Sequence, residues 1–164
     1  MCAEYEKGMT LLKYLRNIEC MKGTKEACDM GHCGACSVLI NGQLARSCVV
    51  LMKTLENKSV ETIEYQAKDG YLSVIQKSFL DSGAVQCGFC TPGMIMATKA
   101  LLLRNKAPTD EDIYEGLKNN YCRCTGYVKI IQAVRLAAAR LRGEELPLPA
   151  VSEGETSSIV IGKD

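Results

Sequence analysis

Cys28-Asp29-Met30-Gly31-His32-Cys33-Gly34-Ala35-Cys36 is the stretch on which the fold turns, and Cys48 completes its spacing as C-x4-C-x2-C-x11-C. A second, unlike set follows: Cys87, Cys90, Cys122 and Cys124 read C-x2-C-x31-C-x-C. Eight of the ten cysteines thus supply four thiolates twice, the ligand number of a tetrahedral metal or an iron–sulfur cluster. The first spacing is the plant-type pattern for a [2Fe–2S] cluster, so the residues read first as an electron conduit with two clusters.

The surroundings of both sets suit an inorganic core. Glycine lets a backbone wrap closely with φ > 0 and aim N–H groups at sulfur. Gly31 and Gly34 flank Cys33, Gly88 lies between Cys87 and Cys90, and Thr125-Gly126 follows Cys124. Ser37-Val38-Leu39-Ile40 and Gln43-Leu44-Ala45-Arg46 are separated by Asn41-Gly42, the pair that favours a two-residue hairpin turn. Cys36 and Cys48 are therefore expected to flank one hairpin.

Working outward, Thr10 is a candidate N-cap for a short helix carrying Leu11, Leu12, Leu15 and Ile18. Val60-Glu61-Thr62-Ile63 alternates as a strand. From Tyr71 the period lengthens to that of a helix. Leu72, Ile75, Phe79 and Leu80 mark one that stops before Gly83. Thr91-Pro92 opens a second, with Thr91 as N-cap, running to about Arg104 and apolar on most faces. Pro108-Thr109-Asp110 starts a third, whose acids Asp110, Glu111 and Asp112 complement the helix dipole rather than form a catalytic pair. A fourth runs from Val128 to Arg142 and ends at Gly143. The expected fold class is α+β: a first half with small strands, a polar join at Glu64–Gly70, a helical second half, and a Ser/Glu/Gly-rich tail beyond Pro147-Leu148-Pro149.

Composition narrows the function classes. In 164 residues, 20 Lys+Arg balance 19 Asp+Glu, so no basic surplus points to nucleic acid. Apolar runs such as Met94–Ala97 and Leu101–Leu103 fall far short of the roughly 20 residues of a membrane span. The opening Met1–Lys7 is not a secretory signal, so the expected location is cytoplasmic and the cysteines are expected to be reduced. No nucleophile–base set, phosphate loop or dinucleotide fingerprint is present, so substrate chemistry is expected in another chain.

Zinc is the competing occupant, above all for C-x2-C…C-x-C, and would make the protein a zinc-stabilised scaffold without redox chemistry. The C-x2-C-x2-C-x3-C-P run of paired [4Fe–4S] clusters is absent. His32, beside Cys33, reads as a loop residue because four thiolates are already present, and Arg123, between two ligands, as a charge that tunes a site or pairs with a surface acid. Cys2 and Cys20 have no partner at ligand spacing and read as ordinary thiols.

Taken together, Gly23-Thr24-Lys25-Glu26-Ala27-Cys28, Gly31–Cys36, Gln86-Cys87-Gly88-Phe89-Cys90-Thr91-Pro92-Gly93 and Cys122-Arg123-Cys124-Thr125-Gly126-Tyr127 resemble the iron–sulfur subunit of the molybdenum hydroxylases, the xanthine dehydrogenase family. The resemblance spans about residues 1–142. It implies an N-terminal β-grasp plant-type ferredoxin domain over residues 1–66, an all-α four-helix domain over 71–143 and an extended tail or linker over 144–164. It implies that Cys28, Cys33, Cys36 and Cys48 hold the first [2Fe–2S] cluster and Cys87, Cys90, Cys122 and Cys124 the second. By the same resemblance Gln86 and Cys124 lie against a molybdopterin cofactor in a large partner subunit, and electrons pass through both clusters to FAD in a medium subunit or to another acceptor. A purine enzyme of xanthine dehydrogenase type is the implied complex. Nicotinate, aldehyde, aromatic acyl-CoA and CO dehydrogenases, and a free two-cluster ferredoxin, stand as alternatives.

Three departures from that family stand out. Its usual first strand has no counterpart before the segment matching Cys2–Gly8, so either a truncated gene model or a lost edge strand is expected, the latter leaving a sheet edge exposed. Ala27 stands where glycine is common. Ile159-Val160-Ile161-Gly162-Lys163-Asp164 looks like the opening of the molybdenum subunit in fused members, so the tail is expected to be a severed linker or a docking strap.

Overall fold

A computed structural model of the chain describes residues 5–144 and Leu146; the tail and Cys2 lie outside the described residues. Its architecture is α+β, as expected, with a small sheet against a group of helices. The order is α1 (Leu11–Lys13), β1 (Ser37–Ile40), β2 (Gln43–Arg46), β3 (Val60–Glu61), α2 (Val74–Asp81), α3 (Thr91–Arg104), α4 (Asp110–Leu117) and α5 (Val128–Leu141). Short 3₁₀ turns at Ser47–Val49, Met52–Thr54 and Ile63–Gln66 link the sheet segments.

Asn41-Gly42 does what its spacing requires. Both residues take positive φ, +49° and +78°, the twist-matched turn in which Ile40 pairs with Gln43 and Ser37 with Arg46. β1 is central in the order β2-β1-β3, and both neighbours run antiparallel to it. β3 is shorter than the alternation of Val60–Ile63 suggests. Thr62 instead offers its carbonyl to the Tyr65 N–H and to Gln66 Nε2, winding the chain into the 3₁₀ turn. Thr10 caps α1 as expected, but the helix widens to π geometry over Tyr14–Ile18 and leaves Ile18 exposed.

Helix ends follow local chemistry. The Ser73 hydroxyl and the Gln76 side chain form a reciprocal capping box at α2, and Thr109 and Asp112 repeat it at α4. Asp112 therefore acts chiefly as a cap. Gly83 and Gly143 end α2 and α5 with positive φ, each in the paired 6→1 and 5→2 bonds of a Schellman motif. At α3 the start lies one residue earlier than Thr91 as cap would place it. Cys90 is the N-cap, with helix-like backbone angles; its carbonyl accepts the Met94 N–H at 3.0 Å, and Thr91-Pro92 are the first two helical residues.

The apolar all-round character of α3 has a packing cause. One side joins Phe79, Ile113, Ile130 and Val134 in the helical core, while Met96 and Ala100 press on Leu39 of β1. A smaller core of Leu11, Leu15, Val38 and Met52 lies on the far side of the sheet. The Lys99–Glu61 ion pair at 2.5 Å ties α3 to β3 as well.

One ion pair locks α2 to α5: Arg140 meets Asp81 at 2.7 Å with both side chains about three-quarters covered. The Arg140 hydrogen bond, opposed by burial and reinforced by Lys77, holds the Asp81 carboxyl below its usual range. That contribution is complete above the unfolded carboxylate value of about 3.9 and is lost as pH falls through the lower folded value. Asp81→Asn should therefore cost about 1 kcal/mol at pH 7, read from urea midpoints, and the gap between the two proteins should close as pH falls through the lowered folded value.

Candidate metal centres

The eight spaced cysteines come together as two sets, and all nine cysteines among the described residues are free thiols. The first set closes because the Asn41-Gly42 hairpin returns the chain to where it left. Cys36 precedes β1, Cys48 follows β2, and the Ser47 N–H and hydroxyl both donate to the Cys36 carbonyl. Cys36 and Cys48 are buried against Leu12. Cys28 and Cys33 come from the preceding loop, which aims backbone N–H groups at sulfur: Met30 and Cys33 toward Cys28 Sγ at 3.5 and 3.4 Å, Gly31 toward Cys48 Sγ at 3.2 Å.

The second set joins the start of α3 to the segment before α5. Cys124 Sγ lies 3.5 Å from Cys87 Sγ. Cys90 neighbours Cys122, whose sulfur accepts a 3.1 Å hydrogen bond from the Thr125 hydroxyl. Tyr127, left-handed at φ +68°, turns its hydroxyl back to accept the Cys122 N–H at 2.9 Å. Gln86, Cys87, Arg123 and Cys124 are exposed, so this set faces outward while the first is backed by core.

The sulfurs of each set lie near one another. Cys28 neighbours Cys33, Cys36 neighbours Cys48, Cys87 neighbours Cys124 and Cys90 neighbours Cys122. Among the described residues, no three Cys, His, Asp or Glu side chains close on one point as they would around a single ion. Electrostatics divides each set as well. The Cys33 and Met30 N–H groups draw the Cys28 thiol down to about 6, while burial, helped by the neighbouring Cys36, pushes Cys48 up to about 12. Burial also pushes Cys90 up to about 12, beside Cys122 and Cys87. Burial raises Cys122, but the Thr125 hydroxyl and nearby N–H groups outweigh it and the net shift is downward. Cys87 beside it raises Cys124. Four such thiols are all thiolate together only when a cation supplies the opposing charge.

A family model described as the [2Fe-2S] binding domain matches residues 62–135. The nicotinate dehydrogenase small FeS subunit of Eubacterium barkeri is 47% identical over 135 residues, 82% of this chain and 86% of the relative. The chain belongs to the iron–sulfur subunits of the molybdenum hydroxylases, the xanthine dehydrogenase family. The xanthine dehydrogenase iron-sulfur-binding subunit of Escherichia coli O157:H7 is 46% identical over 77% of this chain and 80% of its own length. In the crystal structure of quinoline 2-oxidoreductase from Pseudomonas putida 86, a chain superposes with a TM-score of 0.79 at 40% identity, covering 86% of this chain and 89% of that one. As a molybdenum hydroxylase iron–sulfur subunit, the protein is the electron-transfer part of an oxidoreductase, and its relatives are small subunits of multi-subunit dehydrogenases.

Of the remaining sequence candidates, His32 and Cys20 are exposed and join neither set. Sequence reasoning missed the residues that bring the sets together. The Tyr121 N–H donates to the Cys33 carbonyl at 2.9 Å, so one hydrogen bond links a cysteine of the first set to the neighbour of Cys122. Asn120, Arg46 and Ser37 surround that bond. Nothing in their spacing marks them, since hydrogen bonds between residues more than 70 positions apart leave no periodicity.

Two glycines separate steric need from conformational need. A Cβ on Gly34 would lie 2.4 Å from the Asn119 carbonyl oxygen, whereas one on Gly88 meets nothing within 4 Å; both have positive φ. Gly88→Ala should cost only the left-handed backbone penalty of about 1–2 kcal/mol in urea unfolding. Gly34→Ala adds an overpacking cost of about 1–3 kcal/mol and should be clearly the worse of the two.

Proposed function

We propose that Cys28, Cys33, Cys36 and Cys48 hold one [2Fe–2S] cluster, that Cys87, Cys90, Cys122 and Cys124 hold a second, and that the subunit relays electrons between them. The observation that carries this reading is that the fold gathers eight cysteines into two sets of four, with backbone N–H groups aimed at sulfur, in a chain whose residues 62–135 match the [2Fe-2S] binding domain. When bound, each cluster supplies a site that takes up and releases one electron.

Every other contribution comes from the chain. Backbone N–H groups of Met30, Gly31 and Cys33 and the Thr125 hydroxyl aim hydrogen-bond donors at ligand sulfurs, a lever on reduction potential. Leu12 keeps water from the back of Cys36 and Cys48. Residues 1–66 form the β-grasp ferredoxin-type unit and 71–143 the four-helix unit.

The exposed side of the second set is the entry point for electrons. Gln86 and Cys124 there contact the molybdopterin cofactor of a large partner subunit. The apolar side chains of Leu72, Leu80 and Phe89, each about half exposed close to the Cys87–Cys90 loop, give that partner a surface to bury. Electrons leave from the first set to FAD in a medium subunit or to another acceptor. The complex is cytoplasmic. Its substrate is a nitrogen-containing aromatic ring hydroxylated in the large subunit, a class supported by relatives named for nicotinate, xanthine and quinoline, with purines the leading member.

Purified chain should be brown with about four irons per molecule, and serine at Cys28 or at Cys90 should lower that to about two. A colourless chain carrying zinc would overturn the reading. In the assembled complex, Gln86→Ala should slow reduction of the clusters by substrate while leaving their visible spectra unchanged; unchanged transfer would remove Gln86 from the pterin contact.

A further inference from the structure

Between the two cysteine sets lies a buried carboxamide that is neither a ligand nor core packing. Asn120 is 2% exposed and precedes Cys122 by two residues. Its Nδ2 donates to the Gly34 carbonyl at 3.1 Å and to Ser37 Oγ at 3.3 Å, and its Oδ1 accepts from Arg46 Nη2 at 3.2 Å. Its carbonyl accepts from the Tyr127 hydroxyl at 3.3 Å, the same hydroxyl that accepts the Cys122 N–H.

Each partner belongs to a segment that carries ligands. Gly34 lies between Cys33 and Cys36, Ser37 follows Cys36, and Arg46 precedes Cys48 by two residues. Arg46 closes the ring, donating through Nη1 to Ser37 Oγ at 2.9 Å and through Nη2 to the Asn119 carbonyl at 3.1 Å. The carboxamide hydrogen-bonds at both ends, and an apolar side chain in its place would remove one donor each from the Gly34 carbonyl and Ser37 Oγ and one acceptor from Arg46, although each keeps another partner. Adjacent to this ring is the single hydrogen bond between the Tyr121 N–H and the Cys33 carbonyl. Asn120 immediately precedes Tyr121, so the carboxamide fixes where that N–H points.

We propose that Asn120 is a positioning residue for electron transfer between the two centres: its carboxamide holds the Cys33–Tyr121 contact and thereby sets the separation and coupling of the clusters. The proposal rests on the two-cluster reading above. Coupling between redox sites falls steeply when a bonded route is replaced by a gap, so a small opening here changes transfer without touching any ligand.

The test uses the full, iron-loaded chain and Asn120→Asp, which keeps an acceptor for Arg46 and the volume but removes both Nδ2 donors. Two quantities are read: the magnetic splitting between the two reduced, spin-½ clusters at low temperature, and hydrogen exchange of the Tyr121 amide. With iron content and each cluster's own g-values unchanged, the splitting should broaden or collapse and Tyr121 protection should drop about tenfold. A purely structural asparagine would lower overall stability without moving the splitting. Wild-type splitting and wild-type protection in a fully loaded variant overturn the proposal. If Asn120→Asp fails to take up iron, Ser37→Ala, which removes an acceptor of the same Nδ2, decides on the same two readings. A wild-type chain that binds no iron overturns the two-cluster reading itself, a result distinguishable from an unresponsive Asn120.

Discussion

The Gly34 carbonyl is the point on which the two halves of this molecule meet. It accepts the Ser37 N–H at 3.2 Å, the Ser37 hydroxyl at 2.6 Å and Asn120 Nδ2 at 3.1 Å, and it occupies the space a Cβ on Gly93 would need, 2.3 Å away. Three cysteine-bearing segments converge there: the first loop, the start of α3 just after Cys90, and the segment that ends in Cys122. No side chain fits at position 34 or 93 without moving backbone. From that contact follow the packing of α3 on β1 through Leu39, Met96 and Ala100 and the hydrogen bond from Tyr121 to Cys33. The relation between the centres is thus set by backbone approach and a satisfied polar ring, with apolar packing behind it.

This arrangement gives the molecule two unlike ends. Cys36 and Cys48 are almost fully buried, whereas Cys87 and Cys124 are exposed beside Gln86 and Arg123. A relay needs such asymmetry: one centre open to a donor, one sheltered from water, and a short bonded route between them. Membership of the molybdenum hydroxylase iron–sulfur subunits makes the chain the electron-transfer part of an oxidoreductase, the setting in which the proposed relay would work.

How much of this was legible in the sequence depends on the range of the interaction. Asn41-Gly42, Gly83, Gly143 and the caps at Thr10, Ser73 and Thr109 are local devices, each acting within a few residues of itself; the expectations from sequence include the turn, both glycines and Thr10 but neither capping box. The cysteine spacings are local in the same sense, so both sets could be assembled by reading along the chain. Where a residue answers to two neighbours, local reading slipped. Thr91 reads as a cap, but Cys90 takes that place and Thr91 opens the helix; Thr62-Ile63 reads as strand, but Gln66 folds back on Thr62. The junction of Asn120, Arg46, Ser37, Gly34 and Gly93 was not legible, because each residue is ordinary until two distant segments touch.

The account stands on the chain carrying two separate one-electron centres. A reductive titration of the purified full-length chain, followed spectroscopically, tests this most directly. It should take up about two electrons per chain in two one-electron steps, each bleaching its own share of the visible absorption. Uptake of no electrons, or a single step that bleaches all the absorption at one electron per chain, would contradict it.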